Sequence, residues 1–149
     1  MSEDVTTFCG DCLDVMTGIP ADSVDMILCD LPYGTTANKW DTIIPFDDLW
    51  TQWKRVTRHG AAIVLFGQEP FASRMRMSNP QWYRYDWTWH KPKGTGFLQA
   101  RKMPLKDMET LSVFYDHLPT YHPQMRKGFK PYVGKSSEHS LSSNYNKLS

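Results

Sequence analysis

Apolar residues in this chain fall into short runs separated by glycine, proline and acidic residues, and the spacing inside each run sets what it can become. Val5-Thr-Thr-Phe-Cys9 is rich in β-branched residues and closes at Gly10, which predicts a strand. Leu13 and Met16 stand at helical spacing, and Gly18 and Pro20 end the helix they predict from Asp11 to Met16. Val24–Cys29 reads as a second strand. Its run from Met26 to Cys29 is apolar at every position, the pattern of a strand buried on both faces inside a parallel sheet. From Asp30 to Ile44 there is no period, and Pro32, Gly34 and Asn38 make this a long loop. Loops of that length inside compact domains are more often functional than idle.

Pro45 suits a first helical turn, and Phe46, Leu49, Trp50, Trp53 and Val56 then form one apolar stripe. His59-Gly60 is the expected end of this helix, with Gly60 in the left-handed position. Ala61–Phe66 is the clearest buried strand. Gly67 closes it, Pro70 opens a short helix through Met77, and Asn79-Pro80 breaks that helix. The period then changes to two: Tyr83, Tyr85, Trp87 and Trp89 alternate with Arg84, Asp86 and Thr88, a strand with its aromatic face buried. Thr110–Tyr115 is a further strand, expected to pair antiparallel with it. Residues 91–109 read as a Gly- and Lys-rich connection. The sum is an α/β domain with a mixed, mostly parallel sheet over residues 1–117, followed by a polar, weakly ordered tail over 118–149.

Composition narrows the class. A chain of 149 residues, 40% of them hydrophobic, fits one packed domain. No apolar run approaches the ~20 residues of a membrane span, and Met1-Ser-Glu-Asp has neither a basic nor an apolar leader segment. Three cysteines are an odd count that favours reduced thiols, so a cytoplasmic protein without membrane association is expected. Charge is the more telling pattern. Residues 1–50 carry a net −9 and residues 51–149 a net +10. An acidic functional edge beside a basic, polyanion-binding surface would produce that asymmetry, and so would ordinary solvated faces.

Open α/β sheets hold ligands beyond the carboxyl ends of their strands. Three such ends are distinctive: Cys9-Gly-Asp11, Asp30-Leu-Pro-Tyr33 and Phe66-Gly-Gln-Glu-Pro70. An acid at the end of a buried strand, followed by a rigid proline and an aromatic ring, is a plausible catalytic tip. A β-turn accounts for the same four residues. Lys91, Lys93, Arg101, Lys102 and Lys106 form a candidate phosphate-contacting set. Among the six tryptophans, Trp50, Trp53, Trp87 and Trp89 read as core, which leaves Trp40 as a candidate base-contacting ring. Cys9 and Cys12 have ligand spacing, but Cys29 and the five histidines complete no metal pattern, and no metal is expected.

Several of these strings recur together in one family. Gly10-Asp-Cys-Leu-Asp-Val-Met, Ser23-Val-Asp-Met-Ile-Leu-Cys-Asp-Leu-Pro-Tyr-Gly34, Lys39-Trp-Asp41, Ala62–Phe71, Gly94–Lys102 and Thr120-Tyr-His-Pro-Gln124 follow one another as in the amino-methylating DNA methyltransferases, which the chain resembles over roughly residues 6–125. The resemblance implies a Rossmann-like fold, S-adenosylmethionine as cofactor, DNA as partner and transfer of a methyl group to adenine N6 or cytosine N4. It assigns catalysis to Asp30, Leu31, Pro32 and Tyr33, with Asp30 at the motif's first position leaning toward adenine. It also assigns Asp11 and Asp30 to the cofactor, where Asp11 would otherwise be a helix cap. The chain departs from the family at Leu31, where a proline is usual. It also lacks the Phe-x-Gly-x-Gly turn after a strand and the His-Pro-Thr-Gln-Lys-Pro-like segment. The implied fold is therefore incomplete, lacking the cofactor's glycine-rich strand. The alternatives are an inactive DNA-binding remnant or a subunit whose partner supplies that strand, with Val5–Cys9 as the edge that self-associates or pairs.

Overall fold

The computed structural model describes residues 4–125, 127 and 128. Its elements are α1 (Cys12–Thr17), β1 (Val24–Asp30), α2 (Phe46–Val56), β2 (Thr57–Gly67), α3 (Phe71–Ser78), β3 (Tyr83–Thr95), a one-turn 3-10 helix (Phe97–Gln99) and β4 (Lys106–Phe114). The strands form one open sheet in the order β1-β2-β4-β3. β1 runs parallel to β2, with Asp30 beside Phe66. β4 runs antiparallel to both β2 and β3. The mixed α/β sheet and its antiparallel pair are as expected, but only one of the three pairings is parallel.

The difference begins at Val5–Cys9, which is exposed and outside any strand. β-branched residues favour extended backbone, yet a strand exists only where a neighbour supplies hydrogen bonds and packing. Among the described residues none does so. The free edge of the sheet on this side is therefore β1, not Val5–Cys9.

The core lies on one face. Leu49, Trp50 and Trp53 of α2 pack with Ile63 and Leu65 of β2, Phe114 of β4, and Phe71 and Met75 of α3. Trp50 is central: its ring lies 5.0 Å from Phe114 and 5.1 Å from Trp53, and its indole N–H donates to Ser78 Oγ at 2.8 Å. Helix α2 ends at Val56 rather than at His59-Gly60, because Thr57 enters β2 without a loop. Gly60, with φ +75°, instead serves an irregular stretch where Val24 faces Thr57 but Met26 faces Ala62. Arg55 ties α1 to α2 by donating to the carbonyls of Met16 and Ile19 at 2.6 and 2.8 Å.

The other face of the sheet is only partly covered among the described residues: Val64 and Val113 are buried at its centre, and Leu118–Tyr121 line a hollow over it. Met26 and Leu28 of β1 are 50% and 60% exposed, and Trp87 and Trp89 of β3 are nearly as open, although the sequence places all four in the core. Period-two alternation identifies a strand and its apolar face, but not whether anything covers that face. β3 and β4 are also longer than expected and turn most of 91–109 into a hairpin. Pro92 and Gly94 conceal it, and Pro is tolerated because β3 is an edge strand. Residues 118–125 have no regular structure; the rest of the expected polar tail, apart from 127 and 128, lies outside the described residues. No helix of the described residues is long and apolar enough to cross a membrane.

Candidate active site

The parallel pair β1–β2 delivers Asp30 to the carboxyl edge of the sheet, and the segment Leu31–Tyr33 beyond it is pinned from both sides. Leu31 is buried in the core cluster, so the backbone leaving Asp30 is anchored at its first step. Tyr33 then turns back: its hydroxyl donates to Asp30 Oδ1 at 2.6 Å, and its ring lies 4.9 Å from Phe71 at a 34° tilt. Burial first, and the Asp30 carboxylate second, push the Tyr33 phenol far above its ordinary value. It stays a proton donor, which leaves the second Asp30 oxygen for another N–H. One side of the Tyr33 ring is thus taken up by Phe71.

Asp41 holds together the loop whose sequence shows no period. Its Oδ1 accepts from the Gly34 N–H at 2.8 Å, and its Oδ2 accepts from Thr35 and Thr36 at 2.8 and 2.6 Å. Burial opposes its charge, but the N–H groups of Gly34, Thr36 and Thr35 and the Thr36 hydroxyl outweigh it and hold the carboxyl below its ordinary value. Asp41, Thr36, Trp40 and Tyr33 line a hollow of about 310 Å³ with Asp30 on its wall. Trp40 is 71% exposed there, free to meet a ligand. The only sequence signal for Asp41 is its place in Lys39-Trp-Asp41.

Asp11 caps α1, with Oδ1 accepting from the Leu13 N–H at 2.8 Å. Cys12, its neighbour, lies close enough to Cys29 to help raise that thiol, after burial itself. Leu13 and Met16 of α1 pack on the same core cluster as Cys29 and Leu31, so the helix that Asp11 caps sits beside the carboxyl edge that bears Asp30. This edge could present two carboxylates to a ligand's amine and hydroxyl groups. No glycine-rich turn follows a strand among the described residues to take the ligand's other side.

The hairpin of β3 and β4 overhangs the same edge. Gly67, the last residue of β2, faces Thr110, and Thr110 faces Thr88; the ladder then continues through Trp89–Glu109 and His90–Met108 to Thr95–Lys106. Four residues beyond Thr110 project the hairpin about 13 Å past the end of β2. At its base Glu109 accepts from Gln68 Nε2 at 2.9 Å and pairs with Lys91 at 3.0 Å. Burial opposes the Glu109 charge, but Gln68 and Lys91 hold its carboxyl below the ordinary value. Lys91 is thus committed to Glu109, whereas Lys93, Arg101, Lys102 and Lys106 are exposed. The sequence places these five cations together; the Gln68–Glu109–Lys91 group is not legible in it, because its members are far apart in the chain.

At the opposite end of the sheet the donor atoms of His59, Asp116 and His117 come within 4.8 Å of one another. The two imidazoles lie 3.9 Å apart, and Asp116 accepts from the Gly60 N–H at 3.3 Å. This grouping joins the start of β2 to the turn after β4, and no helical i, i+4 spacing announces it. Cys9, Cys12 and Cys29 are free thiols.

No protein-family profile matches the chain. Its fold is that of the S-adenosylmethionine-dependent methyltransferases, by likeness to solved structures. PvuII DNA methyltransferase, described as cytosine-N4-specific, is 15% identical with a TM-score of 0.56, over 75% of this chain and 49% of that one. A Thermus thermophilus protein, provisionally described as a DNA modification methylase and complexed with S-adenosyl-L-methionine, is 14% identical with a TM-score of 0.54, over 79% and 57%. M1.HpyAVI in complex with SAM is 14% identical with a TM-score of 0.53, over 82% and 61%. The chain spans about half the length of the structures it matches.

Proposed function

We propose that this chain carries the amine-activating side of a DNA methyltransferase that transfers a methyl group from S-adenosylmethionine to the N6 amine of adenine. The observation that carries the reading is Asp30: a carboxylate at the end of a parallel strand, on the wall of a hollow, with one oxygen occupied by Tyr33 and the other open. An exocyclic base amine is a poor nucleophile, because its lone pair is delocalised into the ring. The open Asp30 oxygen and the Leu31 carbonyl would accept its two N–H bonds. That geometry localises the lone pair and stabilises the positive charge that develops on nitrogen. Leu31 does not lock φ as proline does, but its buried side chain restrains the same carbonyl. Tyr33 steadies Asp30, and Asp41 holds the loop around them. A base buried in a duplex must leave the stack to reach this hollow, where exposed Trp40 is placed to meet it.

When bound, S-adenosylmethionine supplies an electrophilic methyl group. The residues present fit one side of it: Asp11 and Asp30 would hold its amine and hydroxyl groups, and polypeptide outside these 149 residues would provide the glycine-rich turn. The edge of β1, unpaired among the described residues, and the exposed side chains of Met26 and Leu28 on it are where such polypeptide, or a second copy, would join the sheet. A carboxylate at the motif's first position favours adenine over cytosine. The test is nucleoside mass spectrometry of DNA treated with S-adenosylmethionine and the chain purified from its native host with whatever it binds. N6-methyladenine is expected. N4-methylcytosine would overturn the base assignment, and unmethylated DNA would overturn the catalytic one.

A further inference from the structure

Resting on the reading of this chain as acting on DNA, we infer that the tip of the β3–β4 hairpin is a wedge that enters the base stack, with Phe97 and Leu98 as the inserted side chains. Three observations meet there. The first is exposure: Phe97 is 74% and Leu98 86% exposed, two large apolar neighbours at the point of the hairpin farthest from the core. The second is charge. From Lys91 to Lys106 the sequence holds five cations and no acid, and the four not tied to Glu109 flank the apolar pair along the chain and are exposed. A polyanion whose interior is apolar matches that combination, because cations take the phosphates while the rings replace a stacked base. The third is position, since the strand register sends the hairpin past the edge that bears Asp30.

Local geometry holds the tip in place. Gly96, at φ +84°, makes the left-handed turn that side chains rarely adopt, and the 3-10 turn Phe97–Gln99 follows at once. The Gln99 N–H donates to the Gly96 carbonyl at 2.9 Å, and the Lys102 N–H to the Gln99 carbonyl at 2.8 Å. A closed turn presents the two side chains without ordering them anew on contact. Apolar wedges of this kind unstack a base step, and the contacts of the bent duplex offset what the unstacking costs. Here the unstacked step would lie beside the hollow that receives the base.

A wedge favours DNA whose stacking is already weakened, so the test needs no recognition sequence. The full chain is titrated, with fluorescence anisotropy as readout, against a duplex of about 25 base pairs, more than two helical turns, and the same duplex with one central mismatch. The wild type is expected to prefer the mismatch by about 5- to 10-fold. Phe97→Ala/Leu98→Ala should lose that preference, binding the two duplexes equally. Lys93→Ala/Arg101→Ala/Lys102→Ala should weaken both duplexes together. Equal affinity of the wild type for the two duplexes, or an unchanged preference in the tip variant, would overturn the wedge while leaving DNA binding and the role of Asp30 intact. A tip variant that loses association with protein, seen by light scattering, but binds DNA as before would reassign Phe97 and Leu98 to a protein interface. Absence of DNA binding by every form would overturn both the wedge and the reading it rests on.

Discussion

Asp41 shows how one buried carboxylate can set the shape of a functional loop. Three consecutive backbone N–H groups converge on it, and nothing else among the described contacts gathers Gly34, Thr35 and Thr36. Asp41→Ala should therefore unfasten the loop that carries Tyr33 while the core, which does not depend on it, survives. Loss of charge-assisted hydrogen bonds from a domain of this size should lower Tm by about 5 °C, with larger losses at the site than in the fold. The pH dependence has a definite sign. The folded carboxyl sits below its ordinary value of 3.8, so its contribution is complete well above that pH and is lost as pH falls through the depressed value. Thermal melts of wild type and Asp41→Asn, followed from neutral pH down through the carboxylate range, should converge at the acid end. A gap that stays constant would show that the charge is not what holds the loop. None of this is legible in the sequence, where Asp41 is one acid among ten in the first fifty residues. Its role depends on three donors brought together by a turn that has no period.

Elements differ in how much they owe to their own residues. The α2 stripe is visible because a single helix face carries Leu49, Trp50, Trp53 and Val56, and that face finds the core it implies. Asp30-Leu-Pro-Tyr33 is visible for a related reason, since the run Met26–Cys29 must be a strand and must stop at the acid. The hairpin is half visible. Its aromatic alternation marks the start of β3, but its continuation through Pro92 and Gly94 rests on partners in β4 that no local pattern reports. Val5–Cys9 is the converse, a sequence suited to a strand that finds no neighbour among the described residues. The hairpin also supports a quantitative expectation for DNA. With Lys91 held by Glu109, four cations remain for phosphates, and four contacts give log K against log[salt] a slope of about −3 to −4. Titrations at several salt concentrations measure it. Lys91→Ala should leave the slope unchanged, whereas Lys102→Ala should reduce it by about 1. A flat salt response would remove the hairpin from DNA contact altogether.

Among the described residues, helices pack on one face of the sheet, and the other is covered only in part. Helices α1, α2 and α3 cover Ile63, Leu65 and Phe114, while Met26 and Leu28 are exposed on β1 at one edge of the sheet and Trp87 and Trp89 on β3 at the other. Asp30 and Asp41 line the hollow at the carboxyl edge of the sheet, and Lys93, Arg101, Lys102 and Lys106 are exposed on the hairpin that extends past that edge. In the proposed reading, amine activation and DNA contact both lie within this chain, whereas the far wall of a cofactor pocket does not. The central claim is that methyl transfer depends on the open oxygen of Asp30. Its most direct test is the single-turnover rate of methyl transfer to DNA by the assembly that contains this chain, compared with the same assembly carrying Asp30→Ala. Removing the group that stabilises charge on the attacking nitrogen should lower the rate by about 10²-fold or more, with DNA affinity unchanged. A rate within a few-fold of wild type would contradict the account.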